Sequence, residues 1–485
     1  MTTTPDPTDL STPNGSPGDL SPWRELVRGG HLPRFGLLCL GVWLHAADSL
    51  LVATLMPSAV LEIGGARWLG WTLALYEIGS VIAGAATGLL SRRRGVRPVM
   101  VTAALLFGLG CLISTLAPNM AAMLVGRLAQ GLGGGGLVAV AFVATGQLFP
   151  ARLLPAVMAF ISAIWGASAF CGPLIGGLFA NAGLWRGGFL AFAIQAALLA
   201  LAAALTLGRR GAADKPSTAA INGRFPIRRL VVLSAAVIGI AGAGTATDIR
   251  LSLVLLVAGI AGLWLFFRLD ARGQDRLLPR HALSLRSPVG AGILYVLFFA
   301  TGTVAFTLYG PIMMQLRLGL SPLAAGYLVA FESICWTVAA LSVTHLKPHQ
   351  EPPVIRLGTL MMTAGVAGLV LAVPFGPVWS LLPCIAGLGA GFGMVWAFVM
   401  RRLVAAAEAG DDGDSDRAAG AMPTMQMIGY GIGAALAGLF ANLAGFTGQT
   451  DLAVIETTGV WIFAGFLPIL AIGWLTVGPL VRNRA

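Results

Sequence analysis

Four charged residues lie inside stretches of sequence that are otherwise apolar enough to cross a lipid bilayer. They are Asp48, Glu77, Arg127 and Glu332, and each lies in a run of roughly 20 mostly apolar residues, the length that a membrane-spanning helix needs. A charge there costs about 3 kcal/mol or more, so it faces the protein interior or a wet cavity. Charged residues at such positions indicate a membrane transporter and disfavour an inert membrane scaffold.

The three acidic residues are predicted to lie near the middle of the bilayer. With a rise of about 1.5 Å per residue, Asp48 lies roughly 20 Å from the inner end of its helix. Glu77 and Glu332 lie roughly 14–17 Å from the outer ends of theirs. In a hydrocarbon core of about 30 Å, this is the depth at which secondary transporters bind substrates and coupling ions.

Arg127 is the candidate cation for these acids because a guanidinium stays charged at any physiological pH. Burial disfavours the charged form of a carboxyl group and a nearby cation favours it, so Asp48 between the two influences can load and release a proton. The alternative is a structural ion pair that locks the helices. His45 is three residues before Asp48 on the same helix face, as either a proton relay or a hydrogen-bonded structural histidine.

The other two acids are candidates for both proton coupling and substrate binding. For Glu77 the alternative is a carboxylic acid hydrogen-bonded between helices, whereas Glu332 is the only acid within a span of the second half. Aromatic faces bind cations, so aromatic residues of the spans are candidates to line a substrate cavity, although most would face lipid or neighbouring helices. The cavity set comprises Glu77, Glu332, Tyr76, Trp165, Tyr309 and Trp336.

The composition is that of an all-α integral membrane protein. Of the 485 residues, 57% are hydrophobic and 11% charged, and the mean hydropathy is +0.83; soluble domains carry about 25% charged residues. The net charge of +11 does not indicate a nucleic-acid partner, because the basic residues fall between apolar runs. No cofactor is implied: the five cysteines lack metal spacing, and the glycines at 131–136 lack the preceding strand of a dinucleotide site.

Fourteen candidate spans divide into six, a two-span insert, and six more. The predicted units are a disordered cytoplasmic tail at 1–34, a six-helix bundle at 35–208, linkers with the insert at 209–287, a second six-helix bundle at 288–480, and a cytoplasmic tail at 481–485. The spans are 35–57, 68–90, 98–117, 121–146, 154–178, 185–208, 229–247, 250–267, 288–312, 321–344, 355–374, 377–400, 419–444 and 457–480. Such six-span halves are typical of secondary transporters.

The basic residues predict the orientation. With both termini in the cytoplasm, 26 of the 31 lysine and arginine residues fall on the cytoplasmic side, which is the positive-inside pattern. Arginine outnumbers lysine 29 to 2, and alanine and glycine are abundant, as expected for a GC-rich bacterial genome. We therefore expect a multi-pass protein of a bacterial plasma membrane.

Several motifs resemble those of the major facilitator superfamily, in particular its fourteen-span drug:proton antiporters. The segment from Asp48 to Pro57 is similar to the first-helix motif, and Leu124 to Gly133, with Arg127, to the fourth-helix motif. The segment Gly166-Ala-Ser-Ala-Phe-Cys-Gly-Pro-Leu-Ile-Gly-Gly177 resembles the fifth-helix antiporter motif. The resemblance covers about residues 35 to 480 and implies two bundles around a central cavity, with Gln426 also lining it.

A set of small and basic residues is predicted to govern conformational change. Small residues let helices approach closely, and a proline frees a backbone carbonyl and permits a bend, although static packing would use the same residues. The loop after the second span departs from the family pattern, because Arg92 stands where the family has an acid that helps to close the inner gate. The set comprises Gly88, Arg92, Arg93, Gly95, Arg97, Gly131, Gly166, Gly172, Pro173, Gly176 and Gly177.

These observations predict a proton-coupled exporter of small hydrophobic or cationic compounds that works by alternating access. A dedicated exporter of one metabolite, antibiotic or lipid precursor on the same fold is the alternative. A membrane sensor is disfavoured by the buried acids. An enzyme is disfavoured because Asp48, Glu77 and His45 have no nucleophile or metal constellation beside them. The expected partners are the lipid bilayer, protons and a small-molecule substrate, and the expected state is a monomer.

Overall fold

The protein is built from fourteen helices long and apolar enough to cross a membrane. The structure is a computed structural model that describes residues 26, 29–207, 226–246, 248–273, 276–279, 282–408, 415–446, 448 and 451–482. The helices are α1 (Leu32–Ile63), α2 (Leu69–Arg94), α3 (Val96–Thr115), α4 (Met120–Leu148), α5 (Leu154–Asn181), α6 (Trp185–Thr206), α7 (Ile227–Thr245), α8 (Ile249–Arg272), α9 (Pro288–Leu318), α10 (Pro322–Ser342), α11 (Glu351–Phe375), α12 (Val378–Glu408), α13 (Ser415–Leu443) and α14 (Leu452–Val481).

All fourteen predicted spans are confirmed as helices, and several helices extend beyond the predicted span. For example, α12 continues to Glu408, past the predicted end at residue 400, because hydropathy marks only the apolar part of a helix. Most of the predicted tail at 1–34 and of the connection at 209–228 lies outside the described residues.

Short polar caps fix where several helices begin. Asn119 accepts a hydrogen bond from the Ala122 N–H at the start of α4, and Ser321 accepts one from Ala324 at the start of α10. Each cap satisfies a backbone donor that the first turn of a helix leaves without a partner. Between α2 and α3, Gly95 has a φ of 87°, a conformation that favours glycine and lets two helices follow each other directly.

The two six-helix halves repeat one packing scheme. In the first half α1 packs on α4, α5 and α6, α2 on α4, and α3 on α4 and α6. In the second half α9 packs on α12, α13 and α14, α10 on α12, and α11 on α12 and α14. Every pair is repeated eight helices later, so the halves are related as internal repeats and α7 and α8 are the insert.

The halves contact each other mainly along two seams, α2 with α13 and α5 with α10, and α1 makes smaller contacts with α9 and α10. Because the number of spans is even, α1 begins and α14 ends on the same side, which we call the terminal side. On the side away from the termini the seams are tight. A Cβ added to Gly70 would lie 2.5 Å from the Ala434 carbonyl oxygen, and a Cβ added to Gly177 would lie 3.0 Å from the Leu323 Cα. Nearer the terminal side, a Cβ added to Gly84 or to Gly166 would have no atom of a neighbouring helix within 4 Å. The halves are therefore closed on the far side and apart toward the terminal side.

Candidate functional site

Asp48 of α1 and Arg127 of α4 form an ion pair inside the first half. The Arg127 Nη1 lies 2.7 Å from the Asp48 Oδ2, and both side chains are fully buried. Transfer of either charge alone into such an interior costs several kcal/mol, so the pair is stable only because each charge compensates the other. The sequence predicted this pair, and the structure shows it.

Arg127 also binds groups to which the sequence reading gave no role. Its Nη1 donates to the Gln130 Oε1, and its Nε donates to the Thr72 carbonyl 3.3 Å away on α2. Gln130 in turn donates from Nε2 to the Ser114 Oγ on α3 at 3.0 Å. Gln130 follows Arg127 by three residues, and this spacing on a helix was the available signal for a shared face. The ion pair is therefore the centre of a network across four helices.

An aromatic chain connects this network to the opening between the halves. The Arg127 guanidinium lies over the Tyr76 ring, 4.2 Å from its centroid. The Tyr76 hydroxyl lies 2.9 Å from the His45 Nδ1 and donates to the His45 carbonyl, also at 2.9 Å. His45 packs edge-to-face on Trp165 of α5 at 5.8 Å, and Trp165 is 37% exposed. His45 therefore lies between the exposed Trp165 and the buried ion pair.

Glycines of α4 bring these side chains within reach of one another. A Cβ on Gly131 would overlap the Tyr76 carbonyl, and one on Gly135 would overlap the backbone of Ser80, so α2 and α4 touch along their backbones. A Cβ on Gly134 would lie 2.7 Å from the His45 Nδ1. The glycine run that resembles a dinucleotide loop in sequence therefore acts in helix packing.

Three buried polar atoms around this centre have no hydrogen-bond partner among the described residues. They are the Asp48 Oδ1, the Arg127 Nη2 and the Glu77 Oε2. An unpartnered buried polar atom carries its desolvation penalty and is most often explained by function or by unseen water. Asp48 thus has one oxygen held by Arg127 and one free to accept a proton.

Glu77 lies at the contact between the halves and outside the ion pair. It is 5% exposed, and an added Cβ on Gly431 of α13 would lie 3.5 Å from the Glu77 Cβ. Movement of α13 against α2 would therefore change the surroundings of this carboxyl group. Its predicted roles in proton coupling and substrate binding stay predictions.

Glu332 and Trp336 occupy α10 in the second half and contact α12. A Cβ on Gly389 would overlap the Glu332 carbonyl, and one on Gly393 would overlap that of Trp336. The Trp336 ring lies 4.5 Å from that of Phe392, and the Glu332 side chain is half-buried. Glu332 is not part of the Asp48 network.

Of the remaining cavity candidates, Gln426 donates to the Tyr430 hydroxyl at 3.0 Å on α13 and is half-buried. Tyr76 and Tyr309 are both fully buried in this conformation. Tyr76 packs beneath Arg127. The roles of Tyr76 and Tyr309 in substrate binding stay predictions. A separate apolar groove of about 630 Å³ lies between α10, α11 and α12, and none of the four charged residues lines it.

The fifth-helix motif makes close contacts with both halves. Gly172 and Gly176 lie against α1. A Cβ added to Gly172 would lie 2.8 Å from the Ala47 carbonyl oxygen, and a Cβ added to Gly176 would overlap the Thr54 side chain. Because Pro173 has no N–H, the Ala169 carbonyl lacks its helical donor, and Ser333 of α10 donates to it across the seam at 2.8 Å. The proline therefore frees a carbonyl, as predicted, and the carbonyl is used between the halves.

The side chain of Arg92 lies outside the described residues, so the consequence of its unusual sign stays a prediction. Gly88, Arg93 and Arg97 lie near the terminal end of α2 and the start of α3. A charged cluster that the sequence reading missed lies on the same side of the second half. There Glu351, 3% exposed, accepts hydrogen bonds from Arg401 and, at 2.7 Å, from the Arg402 Nε.

The sequence matches the model of the Major Facilitator Superfamily over residues 38–410. The chain belongs to this superfamily. A Mycobacterium tuberculosis (strain H37Rv) protein described as a probable multidrug-efflux transporter is 31% identical over 435 residues, covering 87% of this chain and 90% of that protein. The multidrug efflux pump SdrM of Staphylococcus aureus is 22% identical over 359 residues, with 73% and 78% covered. The superfamily resemblance is thus confirmed, and the protein is a multi-pass membrane transporter.

A solved structure of the same fold supports the helical arrangement. A POT family transporter in complex with 5-aminolevulinic acid superposes with a TM-score of 0.64, covering 93% of this chain and 96% of that one at 15% identity. At this identity the match shows the fold alone. The predicted fold class, two six-helix bundles with a two-helix insert, is confirmed.

Proposed function

We propose that this protein is a proton-coupled exporter of small hydrophobic or cationic compounds that works by alternating access between its two halves. The observation that carries the proposal is the fully buried Asp48–Arg127 pair, in which the Asp48 Oδ1 and the Arg127 Nη2 have no partner among the described residues. A carboxylate with one free oxygen beside a permanent cation is a group that can gain and lose a proton.

Protonation of Asp48 would remove the negative partner of Arg127 without removing its other contacts. Arg127 would keep the Gln130 amide oxygen, the Thr72 carbonyl and the Tyr76 ring. The guanidinium then has one partner fewer on α1 and the same partners on α2 and α4. The attraction between α1 and α4 therefore depends on the protonation of Asp48, which gives the proton a way to bias the packing of the first half.

The direction of transport and the orientation follow from the same proposal. The terminal side is the cytoplasmic side, because the basic residues concentrate there, and the membrane is a bacterial plasma membrane. The structure is then open to the cytoplasm, with the pair sealed from both sides. The descriptions of the mycobacterial relative as a probable multidrug-efflux transporter and of the staphylococcal one as a multidrug efflux pump support efflux of more than one compound. A dedicated exporter of one compound remains the second candidate.

The test is substrate-driven proton movement in proteoliposomes that hold a trapped pH dye. Wild-type protein is compared with Asp48→Asn, which keeps the shape of the side chain and cannot ionise. The matched control is Glu62→Gln, since Glu62 lies on the same helix with its side chain 54% exposed. A panel of cationic and neutral drugs supplies the substrates.

We expect drug addition to move protons in wild-type and Glu62→Gln vesicles and not in Asp48→Asn vesicles. An unchanged signal in Asp48→Asn would reject coupling at this residue and transfer it to Glu77 or Glu332. Drug flux without proton movement in the wild type would reject antiport itself. A wild type that transports one compound of the panel would favour the dedicated exporter.

A further inference from the structure

The insert lies over one of the two seams between the halves. Helix α7 packs on α13 and on α2, the two helices of that seam. A Cβ on Gly431 of α13 would lie 3.9 Å from Val237, and one on Gly244 would lie 2.7 Å from the Leu439 Cα. Leu230 and Leu233, each 3% exposed, lie on the same face of α7. The contacts with the seam thus run from Val237 to Gly244, and the buried face of α7 continues to Leu230 near its terminal end.

Hydrogen bonds hold α7 on this seam from the first half as well. The Trp71 Nε1 on α2 donates to the Ala241 carbonyl at 3.2 Å, and Arg67, just before α2, donates to the Thr245 carbonyl. The insert therefore contacts both halves at once, and it separates the α2–α13 seam from the surrounding bilayer.

The opposite seam has no such cover among the described residues. Helix α5 packs on α1 and α10 with smaller contacts to α4 and α6, and α10 packs mainly on α12 and α5. Phe170 of α5 is 40% exposed and Tyr327 of α10 is 57% exposed, as expected for side chains that face lipid. The α5–α10 seam is therefore bordered directly by the bilayer.

The two helices of this seam separate within the membrane. The face of α5 that meets α10 carries Ala169, Pro173 and Gly177, which contact Ser333, Gly326 and Leu323 respectively. The same face continues to Gly166, where an added Cβ would meet nothing within 4 Å, and to the exposed Ser162. Gly166 lies roughly 18 Å along α5 from its terminal end, so the gap begins near the middle of the bilayer.

The gap leads to the candidate site. Trp165 is the neighbour of Gly166 on α5, and its exposed ring contacts His45, which is bonded to Tyr76 beneath Arg127. An aromatic face at the inner end of a lipid-bordered gap suits a flat, apolar or cationic compound that is dissolved in the bilayer.

We infer that membrane-dissolved substrates enter through a lateral portal between α5 and α10, and that α7 closes the equivalent opening between α2 and α13. The inference rests on the proposed function for its substrate class. Access is asymmetric although the two halves are symmetric, because the insert covers one seam only.

The first test measures access to lipid and needs no transport. In a background lacking the five native cysteines, Gly166→Cys and Gly84→Cys are each labelled with a fluorophore and reconstituted in vesicles of lipids brominated near mid-chain. Both positions have room for a side chain. We expect several-fold stronger quenching at position 166 than at position 84. Equal quenching, or stronger quenching at position 84, would overturn the inference.

The second test compares delivery routes. Ser162→Trp narrows the portal, and Gly84→Trp adds the same bulk beside the covered seam. We expect Ser162→Trp to slow transport of a lipophilic cation several-fold relative to a hydrophilic substrate, and Gly84→Trp to leave this ratio unchanged. Equal slowing of both substrates by both variants would contradict a portal. If the wild type moved no substrate, the proposed function would fail while the quenching result would still decide the access route.

Discussion

The guanidinium of Arg127 rests on the ring of Tyr76, 4.2 Å from its centroid, while the hydroxyl of the same tyrosine bonds His45 at 2.9 Å. One side chain of α2 thus contacts the cation on α4 and the histidine on α1. The position of Arg127 relative to Asp48 is set by an aromatic neighbour as well as by charge. Tyr76 is therefore a positioning residue for the ion pair.

This arrangement predicts different effects for two substitutions of Tyr76. Tyr76→Phe keeps the ring beneath Arg127 and removes the hydroxyl, so we expect proton-coupled transport to persist with an altered pH profile, because His45 loses its partner. Tyr76→Leu also removes the cation–π contact, worth about 2 kcal/mol when desolvated, and should abolish coupling. Transport measured across a pH series tests both. Equal activity of the two variants would contradict the role of the ring.

Gln130 and Ser114 should act as one unit, since Gln130 donates to Ser114 at 3.0 Å and accepts from Arg127. Each alanine substitution should lower stability by about 1–3 kcal/mol, because it leaves a buried partner unsatisfied. The double variant should cost less than the sum of the two, with a coupling of about 0.5–3 kcal/mol. Unfolding of the purified protein in mixed detergent micelles measures all four forms, and additive losses would argue against the network.

Backbone contact between α2 and α4 predicts a steric effect at Gly131. Gly131→Ala would place a methyl group against the Tyr76 carbonyl and should cost about 1–3 kcal/mol, as overpacking does. Gly84→Ala is the matched control on α2, with no atom within 4 Å, and alanine favours a helix by about 1 kcal/mol. We expect a lower melting temperature for Gly131→Ala and an unchanged or higher one for Gly84→Ala. The reverse order would contradict the packing.

Glu351 should support the terminal side of the second half. It is 3% exposed and bonded to Arg401 and Arg402, so Glu351→Gln leaves two arginines without their acid. Arg401 is 50% exposed and stays solvated, whereas Arg402 is 14% exposed and keeps only the Leu480 carbonyl. The expected loss therefore lies between the about 0–1 kcal/mol of an exposed pair and the roughly 3–5 kcal/mol of a fully buried one. Glu62→Gln is the comparison, because Glu62 forms an exposed ion pair with Arg186. Thermal unfolding compares the melting temperatures of the two variants, and similar values would show that the Glu351 cluster contributes little to stability.

The sequence was sufficient to predict the fold, because apolar runs of span length are a strong signal and the charge pattern orders them. It also predicted the Asp48–Arg127 pair, because two opposite charges in apolar surroundings have few other ways to be compensated. The motif resemblance placed Asp48 on the first helix and Arg127 on the fourth, and the structure shows that these two helices pack together.

Other contacts could not be predicted from the sequence, because neutral polar residues give no comparable signal. Gln130 and Ser114 are common in helices, and only the crossing of α3 and α4 shows that they meet. Glu351 lies at the end of a span, where an acidic side chain could equally well be exposed to solvent. The position of α7 depends on side-to-side packing against α2 and α13, for which hydropathy carries no information.

The hydrogen bonds from Arg67 and Trp71 to α7 also affect which conformation the protein adopts in the absence of substrate. They join the insert, which packs mainly on α13, to the first half on the side away from the termini, so they break if α7 moves with α13 when that side opens. Two bonds at about 1 kcal/mol each would favour the closed arrangement by roughly 30-fold. With the orientation and proton coupling proposed above, the resting transporter would spend little time exposing its acids to the outer medium, and the insert would limit proton leak when no cargo is present.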